Sequence, residues 1–400
     1  MDHRDYFSDL IRQPGSSALA ELFKLTERPD IISFAGGFPA PDMFLPEEAA
    51  EVIRQLLVEE PSTVLGYSPT PGFSSLREYL AERQSRLGMP AAAGEILVTS
   101  GSLQGLDILG RVFLNRGDRI IVEAPTYLGA LTTFASYDVR IDSVPTDAEG
   151  LDTARLAELL EQRRRQGSLP KLLYTVPTFQ NPSGQTMSYR RRQELLDLAG
   201  RYGFLIIEDN AYGELRFAGE EVPTLKALDT GERVIYLGTF SKILSPGIRI
   251  GWIHAAPQII ERAIQMRQAM DQCSNSLGQL LALEFGRRGL IEKQIKKTVG
   301  LLGERARLTL NLIAREFPAG TTWTNPEGGF YTWVTLLPEV DTAQLLSLCI
   351  EKAQVAYVAG VAFYAGKGGN NQMRLCYSQP SLDDISRGIP RLAKAFTTPL

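Results

Sequence analysis

Short apolar runs, most of them without polar alternation, recur along the first two-thirds of the chain: Glu95–Val98, Arg119–Val122, Val139–Asp142, Leu172–Val176, Phe204–Ile207, Val234–Leu237 and Arg249–Ile253. A strand apolar on both sides is covered on both faces, the pattern of a mainly parallel sheet between helices. The stretches between the runs carry apolar residues at helical spacing. "SGSLQGLDILGRVFLNRG" and "YRRRQELLDLAGRYG" both do so, and both end at a glycine, a common helix stop. Strand–helix alternation of this kind predicts an α/β fold. The last pair of runs differs: only "GTFSKILSPG" separates Leu237 from Arg249, too little for a helical crossover, so an antiparallel strand is expected there. Beyond residue 255 a long helical region follows. "WTNPEGGFYTWVTL", "VAYVAGVAF" and "QMRLCYS" then supply strands of a smaller α/β lobe, with which the N-terminal stretch is expected to pack. The expected division is 1–45 for that N-terminal segment, 46–300 for a large domain and 301–400 for a small one.

Composition narrows the classes. Apolar residues make up 44% of the chain and charged ones 22%, as in an ordinary globular enzyme. The net charge is −4, and the longest basic cluster, Arg163–Arg165, suits a helix C-terminus better than a nucleic-acid tail. Cys273, Cys349 and Cys376 are scattered and odd in number, which argues for a reducing compartment. The charged start lacks an apolar stretch behind it, and no run approaches membrane-spanning length. A cytoplasmic protein bound to neither membrane nor nucleic acid is expected. His3 and His254, the two histidines, have no metal-ligand spacing, so neither a metal site nor a serine–histidine triad is expected.

In open α/β sheets ligands bind beyond the carboxyl ends of the strands, so the polar residues that follow each run belong together. After the first run, "TSGSLQGL" opens a helix whose free N–H groups and Ser102 form an anion site. "EAPTYLGA" supplies Tyr127, "PTFQNPSG" supplies Asn181, and "EDNAYGEL" supplies Asp209 and Tyr212. The sixth run is followed by Thr239, Ser241 and Lys242, with Arg249 beyond. A lysine, an aspartate, an amide, two tyrosines and an anion cradle match one cofactor in every part: pyridoxal 5′-phosphate. It has an aldehyde for the lysine, a basic ring nitrogen for the aspartate, a phenolic oxygen for tyrosine and amide, and a phosphate. Taken singly each residue has a plainer role, as a helix cap, turn former or surface charge. Those plainer roles do not place them all at one sheet edge. Arg374, flanked by Met373 and Leu375 in an apolar strand, calls for an anionic partner on its own account.

"TFSKILSPGIRIGW", "PTFQNPSG" and "EDNAYGEL" together resemble the class I aminotransferases of fold type I. "IISFAGGFPAPDMF", "LGYSPTPGFSSLREYL", "PEGGFYTWV" and "QMRLCYS" extend the likeness over nearly the whole chain, closest to the 2-aminoadipate and kynurenine aminotransferase subgroup. The resemblance implies a large domain with a mostly parallel seven-stranded sheet and ping-pong transfer between an L-amino acid and a 2-oxo acid, with 2-oxoglutarate as acceptor. It implies that Lys242 holds the cofactor covalently and then serves as general base. Asp209 would pair with the ring nitrogen, Tyr212 and Asn181 with the phenolic oxygen, and Tyr127 would stack on the ring. Ser102, Thr239, Ser241 and Arg249 would cradle the phosphate. Arg374 would clamp the substrate α-carboxylate, with Gly37 and Asn181 beside it. Tyr67 matches a tyrosine that reaches the phosphate from the partner subunit, which implies a homodimer.

Two positions depart from the pattern. Aminoadipate-active relatives carry an arginine in the N-terminal helix where this chain aligns Ala20, which shifts the expectation toward neutral, aromatic or aliphatic side chains; Arg12 lies upstream. Leu103 stands where relatives often have a glutamine beside the phosphate. Other readings stay open: a decarboxylase, lyase or racemase of the same fold, since fold does not decide reaction, or a regulator built on an aminotransferase-like domain. An arginine that holds the carboxylate in the ring plane favours transamination over decarboxylation. A nicotinamide oxidoreductase would need a GxGxxG after a strand, which is missing.

Overall fold

The structure is a computed structural model that describes residues 3–8 and 30–396. Ala20 and Arg12 lie outside the described residues. Among the described residues there are fourteen strands: β1 (Ile32–Ser33), β2 (Ile96–Thr99), β3 (Arg119–Ala124), β4 (Arg140–Asp147), β5 (Gly150–Leu151), β6 (Leu172–Thr175), β7 (Leu205–Asp209), β8 (Val234–Thr239), β9 (Gly251–His254), β10 (Thr322–Trp323), β11 (Tyr331–Thr335), β12 (Val355–Ala356), β13 (Val358–Ala359) and β14 (Gln372–Cys376).

The large sheet has the order β2-β9-β8-β7-β6-β3-β4-β5. All seven apolar runs are in it, but the sheet has eight strands, not the seven expected. The eighth, β5, is two residues long and pairs antiparallel with the end of β4, so it carries no apolar run to betray it. The β8–β7–β6–β3–β4 block is parallel throughout. β9 runs antiparallel to both of its neighbours, as the short Leu237–Arg249 connection requires. Its strand begins at Gly251 rather than Arg249, because Arg249 adopts φ 54° as the C-cap of a short 3-10 turn, Pro246–Ile248.

Helices cover both faces. α1 (Pro46–Glu59) precedes the sheet, and α2 (Ser102–Phe113) and α3 (Tyr189–Tyr202) are crossovers. α3 starts at Ser188, whose hydroxyl accepts from the Arg191 N–H, and stops at Gly203 with φ 77°. α2 ends at Phe113, short of the glycine expected to close it; Gly117 instead takes φ 82° in the turn that follows. One core packs α2 on the sheet through Leu106, Ile108, Leu109, Val122, Tyr174, Ile207, Leu237 and Ile253.

α4 (Leu290–Glu316) leads to the second sheet, of order β10-β11-β14-β13, and α5 (Leu382–Phe396) closes the chain over it. The N-terminal stretch joins this part: β1 pairs parallel with β12. Residues 34–38 then cross toward the edge of the large sheet, with the Arg374 guanidinium bonded to the Ala35 carbonyl and the Lys242 amine to that of Gly37. Among the described residues no helix is long and apolar enough to cross a membrane.

Candidate active site

The strand ends of the large sheet and the facing edge of the smaller one enclose a cavity of about 430 Å3. Its lining includes Gly37, Ser102, Leu103, Tyr127, Asn181, Asp209, Tyr212, Thr239, Ser241, Lys242, Arg249 and Arg374. Every site residue expected from sequence is therefore in one place except Tyr67, which is 87% exposed on the outer surface.

Lys242 leaves the end of β8 and donates from Nζ to the Gly37 carbonyl at 2.8 Å. Burial pulls its ammonium down to about 8, and the nearby Arg374 and Arg249 charges act the same way. Asp209 is the last residue of β7, buried at the strand mouth. Its Oδ2 accepts from the Tyr174 hydroxyl at 2.8 Å, whereas Oδ1 is buried without a hydrogen-bond partner among the described residues. Burial pushes this carboxyl up to about 6, against the Tyr174 bond and the Lys242 charge.

Ser102 is the first residue of α2, and the preceding Gly101 has φ 88°. A β-carbon at Gly101 would sit 2.6 Å from Arg249 Nη2, so only glycine leaves the hollow between helix start and guanidinium open. Arg249 is held in its left-handed conformation with Nη2 on the Ser100 carbonyl (3.2 Å) and Nη1 on that of Pro246 (3.3 Å). A non-glycine residue in this region is strained, and such strain collects at working sites. Across the hollow the Thr239 hydroxyl donates to Ser241 Oγ at 3.0 Å and accepts from the Ser241 N–H at 3.1 Å. Leu103, beside them, is 38% exposed and brings no polar atom to the hollow.

At the other end, Arg374 lies on β14 and is nearly fully buried. Nη1 donates to Asn181 Oδ1 at 2.8 Å and Nη2 to the Ala35 carbonyl at 2.7 Å, while Nε has no partner among the described residues. The guanidinium carbon is 4.3 Å from the centre of the Tyr331 ring and 5.1 Å from that of Phe363. Two aromatic rings this close to the guanidinium restrict its orientation. The Tyr331 hydroxyl is 3.0 Å from that of Tyr212, and burial raises both phenols, that of Tyr331 to about 12. A β-carbon at Gly37 would overlap the Tyr331 hydroxyl, so the N-terminal stretch passes here only as glycine.

Among the described residues no carboxylate forms an ion pair with Lys242, Arg249 or Arg374. Three cations thus face a single acid, Asp209, and the cavity suits a ligand with more than one anionic group. The chain matches the family model described as aminotransferase class I and II over residues 29–392.

The chain belongs to that family.

It is 44% identical to aromatic-amino-acid aminotransferase 1 of Thermococcus litoralis, an alignment that covers 99% of this chain and 95% of the relative. It is 38% identical to 2-aminoadipate transaminase of Thermus thermophilus, over 95% and 94% of the two chains. Kynurenine aminotransferase of Pyrococcus horikoshii, solved with PMP, superposes with a TM-score of 0.95 at 43% identity, over 98% and 97%. The resemblance to the 2-aminoadipate and kynurenine subgroup, the fold type I architecture and the aminotransferase activity are borne out. The cofactor of this aminotransferase is pyridoxal 5′-phosphate. The cavity fits it on three observations: a buried carboxylate oxygen without a partner, a hollow at a helix start that a β-carbon would fill, and an excess of cations.

Sequence reasoning missed several lining residues. Tyr331 stands in the quoted "PEGGFYTWV". Its strand pairs antiparallel with that of Arg374, Trp333 opposite Arg374 and Tyr331 opposite Cys376, so strand alternation puts all four on one face. Pairing the two motifs would have found it. Phe38, Val176, Val358 and Phe363 line the cavity as apolar residues without a chemical signal. Tyr174 lay unremarked in the fourth apolar run, although a buried phenol needs a partner.

Proposed function

We propose that this aminotransferase moves amino groups from L-amino acids with neutral, aromatic or aliphatic side chains to 2-oxoglutarate, in a ping-pong cycle. The observation that carries the reading is the common placement of Lys242, the open Oδ1 of Asp209 and the ring-flanked Arg374 around one cavity. Beyond Arg374 the wall offers Phe38, Leu128, Tyr331, Val358 and Phe363, all apolar or aromatic. The relatives named for aromatic amino acids and kynurenine agree with such a wall.

Each residue then has a task. Lys242 Nζ would hold the cofactor, with its phosphate at Ser102, the N–H groups of α2, Thr239, Ser241 and Arg249, and Leu103 adding only apolar contact. Asp209 Oδ1 would take the ring N–H, Tyr127 would cover the ring, and Tyr212 and Asn181 would donate to the phenolic oxygen. Bound there, the cofactor supplies the electron-withdrawing ring that makes an amino acid's Cα–H acidic. Arg374 would orient the α-carboxylate beside Asn181 and the Gly37 backbone. The Lys242 amine would be the base: a pKa near 8 leaves an appreciable neutral fraction at neutral pH to take a proton from Cα and return it. The rings of Tyr331 and Phe363 exclude water from the guanidinium, which strengthens its hold on an anion.

Leu65 and Tyr67 are 77% and 87% exposed, and Leu57 and Val58 are exposed nearby. A second copy of the chain covering this apolar surface, with Tyr67 reaching the partner's phosphate hollow, accounts for it. The cytoplasm is the proposed location, in keeping with three cysteines that form no disulfide.

Incubation of the purified enzyme with 2-oxoglutarate and acidic, aromatic and aliphatic amino acids, followed by glutamate formation, tests the substrate class. Aromatic and aliphatic donors should lead. Dominant turnover of 2-aminoadipate or aspartate would contradict the reading.

A further inference from the structure

Tyr174 lies mid-strand in β6, fully buried in the core under α2. Its ring packs edge-on against Phe134, with centroids 5.9 Å apart. Phenylalanine would fill this space equally well. A phenol in such surroundings is costly unless its hydroxyl is paired, and the acceptor is Asp209 Oδ2, at 2.8 Å. Among the described residues, the same carboxylate leaves Oδ1 unpaired at the cavity.

We propose that Tyr174 is a positioning residue for amino transfer: its hydroxyl anchors one oxygen of Asp209, so that the other is presented to the cofactor's ring nitrogen in a fixed direction and in ionised form. The inference rests on the assignment of Asp209 given above. Two further arguments support it. Burial holds the Tyr174 phenol well above its ordinary value of 10.0, so the proton stays on tyrosine and the bond runs one way. Burial also drives the Asp209 carboxyl up, and the Tyr174 bond is the first influence that opposes it. The other groups whose charges reach Asp209 are Lys242, from the loop after β8, and Tyr127, from the segment after β3; neither hydrogen-bonds to it among the described contacts.

The test uses the full-length apoenzyme and two probes: pyridoxal 5′-phosphate and its 1-deaza analogue, in which a carbon replaces the ring nitrogen. The parent enzyme should bind the nitrogen-bearing probe more tightly. Tyr174→Phe, which removes one hydroxyl and keeps the ring, should weaken binding of pyridoxal phosphate roughly ten-fold, as for loss of a hydrogen bond to a charged group. It should leave the analogue's affinity within about two-fold, since Asp209 has nothing to pair with there. In an Asp209→Asn background the same substitution should change neither affinity. Equal weakening toward both probes, or an undiminished effect in the Asn background, would reveal a merely structural tyrosine and overturn the proposal. If the parent enzyme itself fails to discriminate between the probes, the assignment of Asp209 falls first, and the proposal with it.

Discussion

The two ends of the cavity are built in different ways. At the phosphate end, Ser102, Thr239, Ser241 and Arg249 stand at or beside the ends of β2, β8 and β9, neighbours in one sheet, and the backbone sets their positions. At the carboxylate end, Arg374 comes from the smaller sheet and meets Asn181 across 193 residues and the Ala35 carbonyl across 339. Its orientation is restricted by rings, Tyr331 and Phe363, rather than by a turn. One end is a property of local loops on a rigid frame. The other exists only when three distant stretches of chain come together. Lys242 and Asp209 stand between them, and substitutions should separate the two ends by which kinetic constant they change.

The largest effect belongs to the centre. Lys242→Ala should lower kcat by about 10^4-fold or more while the fold survives, because both the covalent anchor and the base are lost. Near-normal turnover in a stopped assay would contradict the assignment. Asp209→Asn should lower kcat on the order of 10^2- to 10^3-fold, as for loss of a preorganised electrostatic partner. It should also stabilise the apoenzyme. The folded-state pKa of Asp209, about 6, lies above its ordinary 3.8, so the buried carboxyl contributes stability below about pH 4 and loses it as pH rises through 6. Asparagine carries no charge at any pH. Urea melts at pH 7.5 should show apo Asp209→Asn more stable by about 3 kcal/mol, an advantage that disappears at pH 4. Parallel pH profiles for the two proteins would count against a buried, ionised Asp209.

The carboxylate end should respond in kcat/KM. Arg374→Ala should reduce it roughly 10^2-fold, toward amino acids and 2-oxo acids alike, since both carry the α-carboxylate. A loss confined to one of the two substrate classes would break the comparison. The phosphate end should respond in cofactor affinity alone and least of all. Leu103→Gln, which restores a polar group beside the hollow, should tighten cofactor binding about three-fold with kcat unchanged.

The same contrast explains what was legible in the sequence. Ser102, Thr239 and Ser241 at the phosphate end follow apolar runs at once, so reading the runs located them. The antiparallel β9 was foreseeable because a short connection leaves no alternative. β5 was not, since Gly150 and Leu151 form a strand only by leaning on the end of β4. Nor was the placement of Arg249, which a strand pattern claimed but a left-handed turn holds. At the carboxylate end Arg374 announced itself as a charge in an apolar strand. Its surroundings, Tyr331, Phe363 and the Ala35 carbonyl, are long-range contacts that no local pattern encodes. Tyr174 was hidden for another reason: in a buried strand a tyrosine reads as one more apolar residue until its hydroxyl's partner is seen.

The most direct measurement is peptide mapping of the cofactor-loaded enzyme after borohydride reduction. The reduced cofactor should remain on the peptide that contains Lys242, with the corresponding gain in mass. Label on another lysine, or none in a fully loaded sample, would contradict the account at its centre.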